Sequence, residues 1–248
     1  MNTILITMAG RGQRFRDAGH DRPKYEIEVH GKTLFQWSME SLSAWFDEPC
    51  QLVLVARAED EAGPFTAREA ERLGLKSTLV ELDTTTDGQA TTAMQAANMI
   101  ADPAAPLAIY NIDTHVTSGV MDPRQARGAG WIPCFQAPGD HWSFAAVNAE
   151  GRVTEVREKR RISPFATLGL YWFDSFDRYA DLYSRHFAAG GDEAGERYVA
   201  PMYNRLIADG ELVSISEVAF SDVTPLGTPA EVERFQAAGS PHRADARR

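Results

Sequence analysis

A chain of 248 residues with 44% hydrophobic and 24% charged residues has the composition of an ordinary globular protein, enough for one large domain or two small ones. A formal net charge of -10 argues against a general nucleic-acid binder, since phosphate backbones are held by surplus Lys and Arg, but it leaves room for a few basic residues focused on a small phosphate. Cys50 and Cys134 lie far apart without metal-ligand spacing, which suggests neither a disulfide framework nor a zinc cluster and predicts two buried free thiols.

The first apolar run, Thr3 to Met8, reads as a buried strand. It is too short to span a membrane and lacks the basic start of a signal peptide, so a cytoplasmic protein is expected. The glycine-containing segment Ala9 to Gly19 follows at once. Leu34, Trp37, Ser38, Leu42, Trp45 and Phe46 recur at helical spacing and predict a helix over 33–47. Strands are then expected over 51–56, 77–82 and 106–110, with helices over 66–73 and 89–100 between them. Such alternation implies right-handed crossovers and a mostly parallel sheet flanked by helices. From about residue 131 the rhythm changes to strands joined by loops (131–136, 144–147, 153–156 and 167–173). Helices over 176–187 and 200–208, a strand pair within 212–223 and a short helix near Pro229 complete the pattern. The polar, basic stretch from Gly239 to Arg248 has no apolar anchor, and a disordered tail is expected over 237–248.

Ligands of an open parallel sheet bind beyond the carboxyl ends of its strands. Two features fall there: the Gly10/Gly12 segment after the first strand, and Asp113 after the strand at 106–110. Glycines at 10 and 12 let the backbone approach a polyphosphate and offer it N–H groups. Arg14 adds a guanidinium fork, and Lys24 a point charge that can fold back onto the same anion. The pattern is neither a dinucleotide fingerprint, which needs a third glycine, nor a Walker loop, which needs G-K-[ST]. A turn built on two glycines is the plainer alternative. A carboxylate at the position of Asp113 either forms an Asx turn or holds a cation such as Mg²⁺, which takes oxygen ligands.

Residues 4 to 35, ILITMAGRGQRF…RPKYEIEVHGKTLF, resemble the opening of the sugar-phosphate nucleotidyltransferases, whose signature is G-x-G-x-R followed by P-K. The resemblance runs to about residue 236, more loosely after its first part. It implies a nucleotide-binding α/β sheet of the kind found in nucleotide-diphospho-sugar transferases, with a smaller mixed-strand part for the acceptor. It further implies a single domain over 1–236, with 1–115 binding the nucleotide and 116–236 the acceptor.

On that resemblance Ala9, Gly10 and Gly12, with Gly88 and Gln89 at the start of the helix at 89–100, contact the nucleotide; a plain N-cap by Asp87 is the alternative for the latter pair. Asp113 becomes the Mg²⁺ (or Mn²⁺) ligand. A second carboxylate usually stands just before a late G-T-P segment; here Leu226-Gly227-Thr228-Pro229 is preceded by Thr224 and Pro225, and the nearest acid, Asp222, is the expected second ligand. Glu158 and Lys159, followed by Gly169, resemble the acceptor-binding segment, and Glu196 falls where relatives hold an acceptor hydroxyl. Trp142 reads as a buried residue at a strand start, or as a platform for a sugar or a quaternary ammonium.

The reaction so implied joins the phosphate of a small acceptor to the α-phosphorus of a nucleoside triphosphate and expels pyrophosphate. The acceptor, most commonly a sugar 1-phosphate used in cell-surface glycan synthesis, is already largely dianionic, its second pKa being about 6. Charge neutralisation and alignment by Arg14, Lys24, Asp113 and Lys159 then suffice, with no covalent nucleophile. A phosphocholine-like acceptor, a glycosyltransferase of the same fold and a non-catalytic nucleotide-binding module are the competing readings. No nucleic-acid or membrane partner is expected.

Overall fold

Ile4, Leu5 and Ile6 alternate across a pleated strand, so the first apolar run has two buried faces. It forms β1 (Asn2–Thr7), whose Leu5 joins one apolar cluster while Ile4 and Ile6 join another on the opposite face. In the computed structural model, which describes residues 1–193 and 195–239, β1 leads into α1 (Gln13–Asp17) and a small hairpin of β2 (Glu28–Val29) and β3 (Lys32–Thr33). Then come α2 (Leu34–Ser41), β4 (Cys50–Arg57), α3 (Gly63–Leu73), β5 (Ser77–Leu82), α4 (Gln89–Met94) and β6 (Leu107–Asn111). β1 pairs in parallel with β4 on one side and β6 on the other, and β5 adds in parallel beyond β4. The chain thus leaves β1 in one direction and returns on its other side, making the carboxyl ends of β1 and β6 a topological switch point.

The second half extends the same sheet with mostly antiparallel strands. Its elements are β7 (Thr114–Val116), β8 (Gly130–Gln136), β9 (Ser143–Val147), β10 (Val153–Glu158), β11 (Phe165–Thr167), β12 (Leu170–Phe173), α5 (Phe176–Ala188), α6 (Tyr203–Ala208), β13 (Val213–Val218), β14 (Val223–Pro225) and α7 (Pro229–Ala238). β12 lies antiparallel between β6 and β8, and β11, β9 and β10 continue the sheet beyond β8. The expected α/β class, parallel at one side and mixed at the other, is the one observed.

Several boundaries differ for local reasons. The helix expected over 33–47 is α2 followed by a separate 3-10 turn at Ser43–Trp45, and that over 89–100 stops at Met94 before a 3-10 turn at Ala97–Met99. The helix expected over 66–73 starts earlier, at Gly63, with a proline in its first turn, a position that needs no N–H donor. The strand expected over 167–173 is broken after Thr167, because Gly169 turns into the left-handed region at φ 79°. The two last strands do not pair with each other: a 3-10 turn at Phe220–Asp222 redirects the chain, so β13 joins β8 and β14 joins β7. Cys134 is buried as expected, but Cys50 is only half-buried. Of the tail expected over 237–248, the first two residues complete α7, and 240–248 lie outside the described residues.

A third cluster positions the late segment of the chain. Phe15, Ile27, Val29, Leu34 and Trp37 pack against Leu226 and Phe235, with the Phe235 and Trp37 ring centroids 5.1 Å apart. α7 is thereby seated beside the switch point. Among the described residues no helix is long and apolar enough to cross a membrane.

Candidate active site

One cleft opens at the carboxyl ends of β1 and β6, with three lobes that share Asn111 and Asp113. The first lobe is lined by Gly10, Gly12, Arg14, Lys24 and Gly227. Gly12 takes φ 61°, the left-handed region that favours glycine, and starts α1. A Cβ there would stand 3.6 Å from the Cβ of Lys24, so the two segments run side by side. Lys24 follows Pro23 in a 3-10 turn, and its Nζ lies 5.7 Å from the ring centroid of the buried Phe15 and 2.8 Å from Asp113 Oδ2. Arg14 is exposed on the rim.

The second lobe is lined by Ala9, Gly10, Thr85, Thr86, Gly88 and Gln89, with Glu196 on its edge. Gln89 donates from Nε2 to Thr7 Oγ1 at 3.0 Å, tying the start of α4 to the end of β1. Gly88 has a reason of its own: a Cβ would stand 2.4 Å from the carbonyl oxygen of Arg197, and Ala90 N–H donates to that same oxygen at 2.9 Å. The glycine therefore admits the 195–198 segment. The side chain of Asp87 makes no N-cap bond; it accepts from Thr91 and pairs with Arg197 at 3.2 Å.

The third lobe gathers Trp142, Ser143, Glu158, Lys159, Thr167, Tyr171 and Tyr198. The Glu158 side chain is 7% exposed and accepts from the Ser143 hydroxyl. Burial pushes its carboxyl above the ordinary carboxylate range, against the opposing pull of Ser143 and the Lys159 ammonium. Lys159 sits in the left-handed region at φ 49°, an uncommon conformation for a residue with a side chain. Its Nζ donates to Tyr198 Oη at 2.6 Å and lies 3.8 Å from Glu158 Oε1. Gly169 makes space for Asn111, whose amide would lie 2.2 Å from a Cβ at that position. Trp142, expected to be buried, is half-buried on the cleft wall, edge-on to Phe135 at 5.1 Å.

Asp222 is not in this cleft. Leu226 N–H donates to the carbonyl of Asp113 at 2.7 Å, whereas the carbonyl of Asp222 accepts from Thr117 N–H at 2.9 Å, at the opposite end of the β7/β14 ladder. Three strand residues, and so four steps along the chain, separate the two ends, about 13 Å at ~3.3 Å per residue. The second carboxylate near Asp113 is instead Glu231, in the first turn of α7. Sequence reasoning gave no part to Tyr198, Ser143 and Thr7, whose places in the cleft depend on long-range contacts.

The chain shares 34% identity with a nucleoside-diphosphate-sugar pyrophosphorylase from Vibrio cholerae RC9, with a TM-score of 0.87 over 94% of this chain and 99% of that one. It belongs to the sugar-phosphate nucleotidyltransferase family. An inositol-1-phosphate CTP transferase from T. maritima shares the fold, with a TM-score of 0.74 at 16% identity over 93% of this chain and 91% of that one. No family model matches the sequence, and no curated protein was found similar to it.

The oxygen donors that line this nucleotidyltransferase's cleft, Asp113, Glu231 and Asn111, would suit an oxygen-preferring cation. Among the described residues no three or more His, Cys, Asp or Glu side chains converge as a complete protein cage. Mg²⁺ characteristically rests on one or two carboxylates plus substrate phosphates. Asn111 Oδ1 is buried without a hydrogen-bond partner, and the Lys24 ammonium already stands as a cation against Asp113.

Proposed function

We propose that this enzyme transfers a nucleoside monophosphate from a nucleoside triphosphate to the phosphate of a sugar 1-phosphate, releasing pyrophosphate. The observation that carries this reading is the meeting of Lys24 with Asp113 at 2.8 Å inside a hollow shared with Gly10, Gly12 and Arg14. Backbone N–H groups of the glycine segment, Arg14 and Lys24 hold the triphosphate, while Gln89 and the Gly88 backbone border the ribose and base. Asp113 anchors Mg²⁺ or Mn²⁺, which would offset charge on the phosphates. Lys159 attracts the acceptor phosphate and aligns its oxygen for in-line attack on the α-phosphorus. Alignment and charge neutralisation carry the reaction, since a phosphate dianion needs little further activation.

The acceptor lobe supports a polyol. Glu158, Ser143, Thr167, Tyr171 and Tyr198 line it with carboxylate and hydroxyl groups that match sugar hydroxyls. In this reading residues 1–115 hold the nucleotide and 116–236 the acceptor within one domain. The nucleotide-activated product serves as a donor for cell-surface glycan assembly. The half-buried Trp142, which lines the same lobe as Tyr171 and Tyr198, favours a quaternary ammonium such as phosphocholine as a second acceptor class.

The test is pyrophosphate release from ATP, GTP, CTP, UTP and dTTP against a panel of sugar 1-phosphates and phosphocholine, with and without chelator. One nucleotide and one sugar phosphate are expected to give stoichiometric pyrophosphate that chelator abolishes. Release of a nucleoside diphosphate, or nucleotide binding with no product from any acceptor, would overturn the reading.

A further inference from the structure

Two carboxylates confront each other across Gly227. A Cβ on that residue would stand 3.5 Å from Asp113 Oδ2 and 3.5 Å from Glu231 Oε2, so twice that distance bounds the gap between the oxygens. The missing side chain at 227 is what keeps the space open.

The orientation of Glu231 is not dictated by its helix. Thr228-Pro229-Ala230-Glu231 has the spacing of a capping box, in which the side chains of the first and fourth residues each bond the other's backbone N–H. At α2 both halves form: Gln36 N–H donates to Thr33 Oγ1 and Thr33 N–H to Gln36 Oε1, each at 3.1 Å. At α7 only Glu231 N–H to Thr228 Oγ1 forms, at 3.3 Å. The Glu231 carboxylate turns instead toward Gly227 and lines the cleft, and among the described residues it makes neither a hydrogen bond nor an ion pair.

Two like charges brought together without a bond between them raise the energy of the free protein unless a cation shares them. Asp113 Oδ2, the oxygen that faces Glu231, is the one the Lys24 ammonium reaches. Asn111, whose Oδ1 is buried and unpartnered, lines the same cleft. Pro225, on the strand just ahead of Gly227, lines the cleft but offers no ligating side chain.

We propose that Glu231 is the second carboxylate of the cation site, opposite Asp113 across Gly227, with Asn111 Oδ1 as a neutral oxygen donor. The site selects a hard divalent cation, Mg²⁺ or Mn²⁺, bound together with polyphosphate. This rests on the proposed function above insofar as Asp113 is taken as the metal anchor.

The test is Mn²⁺ binding, read by the loss of the free-ion electron paramagnetic resonance signal, alone and with inorganic tripolyphosphate. Wild-type protein is expected to bind one Mn²⁺ with tripolyphosphate. Glu231→Gln should weaken that binding at least tenfold, while its thermal midpoint and its metal-free tripolyphosphate affinity stay near wild type. Gly227→Ala, whose methyl group makes only ordinary contacts but occupies the gap, should weaken it similarly with Glu231 intact. Asp222→Asn should leave it unchanged. Wild-type Mn²⁺ affinity in Glu231→Gln, or an equal loss in Asp222→Asn, overturns the assignment. Failure of Asp113→Asn to weaken Mn²⁺ binding strikes instead at the anchoring role in the proposed function. No Mn²⁺ uptake by wild type with tripolyphosphate overturns both.

Discussion

Lys24 and Asp113, 89 residues apart in sequence, meet at 2.8 Å where the connection after β1 faces the end of β6. Their side chains are 16% and 34% exposed, so the pair stands in a wet cleft and its contribution to stability is modest. In the proposed function its importance lies in chemistry, each charge being placed for a ligand of opposite sign.

Lys24→Ala and Asp113→Asn are each expected to lower turnover at least roughly a hundredfold, the scale of removing one preorganised electrostatic group. Thermal midpoints should change little. Steady-state pyrophosphate release on the matched substrate pair checks this, and near-normal rates in both variants would remove the two residues from the mechanism.

Tyr198→Phe deletes the hydroxyl that accepts from Lys159 Nζ at 2.6 Å. Losing one hydrogen bond of about 1 kcal/mol corresponds to roughly a fivefold effect. The expected change is a rise in KM for the acceptor, with KM for the triphosphate unaltered. A rise confined to the nucleotide would place Tyr198 elsewhere in the reaction.

Glu158 gives a pH signature. Its carboxyl is held above the ordinary carboxylate range by burial, so ionisation costs more in the folded protein than in the unfolded one. The stability linked to its protonated form is fully present below the unfolded value of about 4.3 and is lost as pH rises through the higher folded value. Relative to wild type, Glu158→Gln should therefore gain thermal stability as pH climbs from 4 toward neutrality. Melting curves of both proteins across that range decide the matter; a gap that narrows instead would contradict the burial argument.

Gly88→Ala should destabilise the fold by about 1–3 kcal/mol, the range for one strained backbone position. A methyl there meets the carbonyl of Arg197 at 2.4 Å, and φ 149° is already unfavourable for a residue with a side chain. Chemical denaturation should show a lowered midpoint even without nucleotide. A wild-type midpoint would leave ligand approach as the only reason for glycine at that position.

The first half of the fold was readable because its signals are local. Ile4 to Ile6, Leu52 to Val55 and Leu107 to Tyr110 are continuous apolar runs, and the Gly10/Gly12 segment and Asp113 follow strand ends directly. Tertiary register was not readable. Asp222 stands close to Gly227 in sequence, but the β7/β14 ladder sets it against Thr117 and carries it away from Asp113. Glu231 carries no local signal that sets it apart, because the half-formed cap and the turn of its carboxylate into the cleft exist only in the folded chain. Gly88 was expected to admit the nucleotide, and its closest constraint within the fold is the backbone of residue 197.

The packing of Phe235 and Leu226 onto Trp37, Leu34 and Phe15 has a consequence for biosynthesis. The cleft has one wall from the segment that follows β1 and the facing wall from α7, which is synthesised after every strand of the sheet. A nascent chain can complete β1, β4, β5 and β6 while still tethered to the ribosome, yet hold no finished catalytic hollow. Competence therefore arrives late and all at once, when α7 docks.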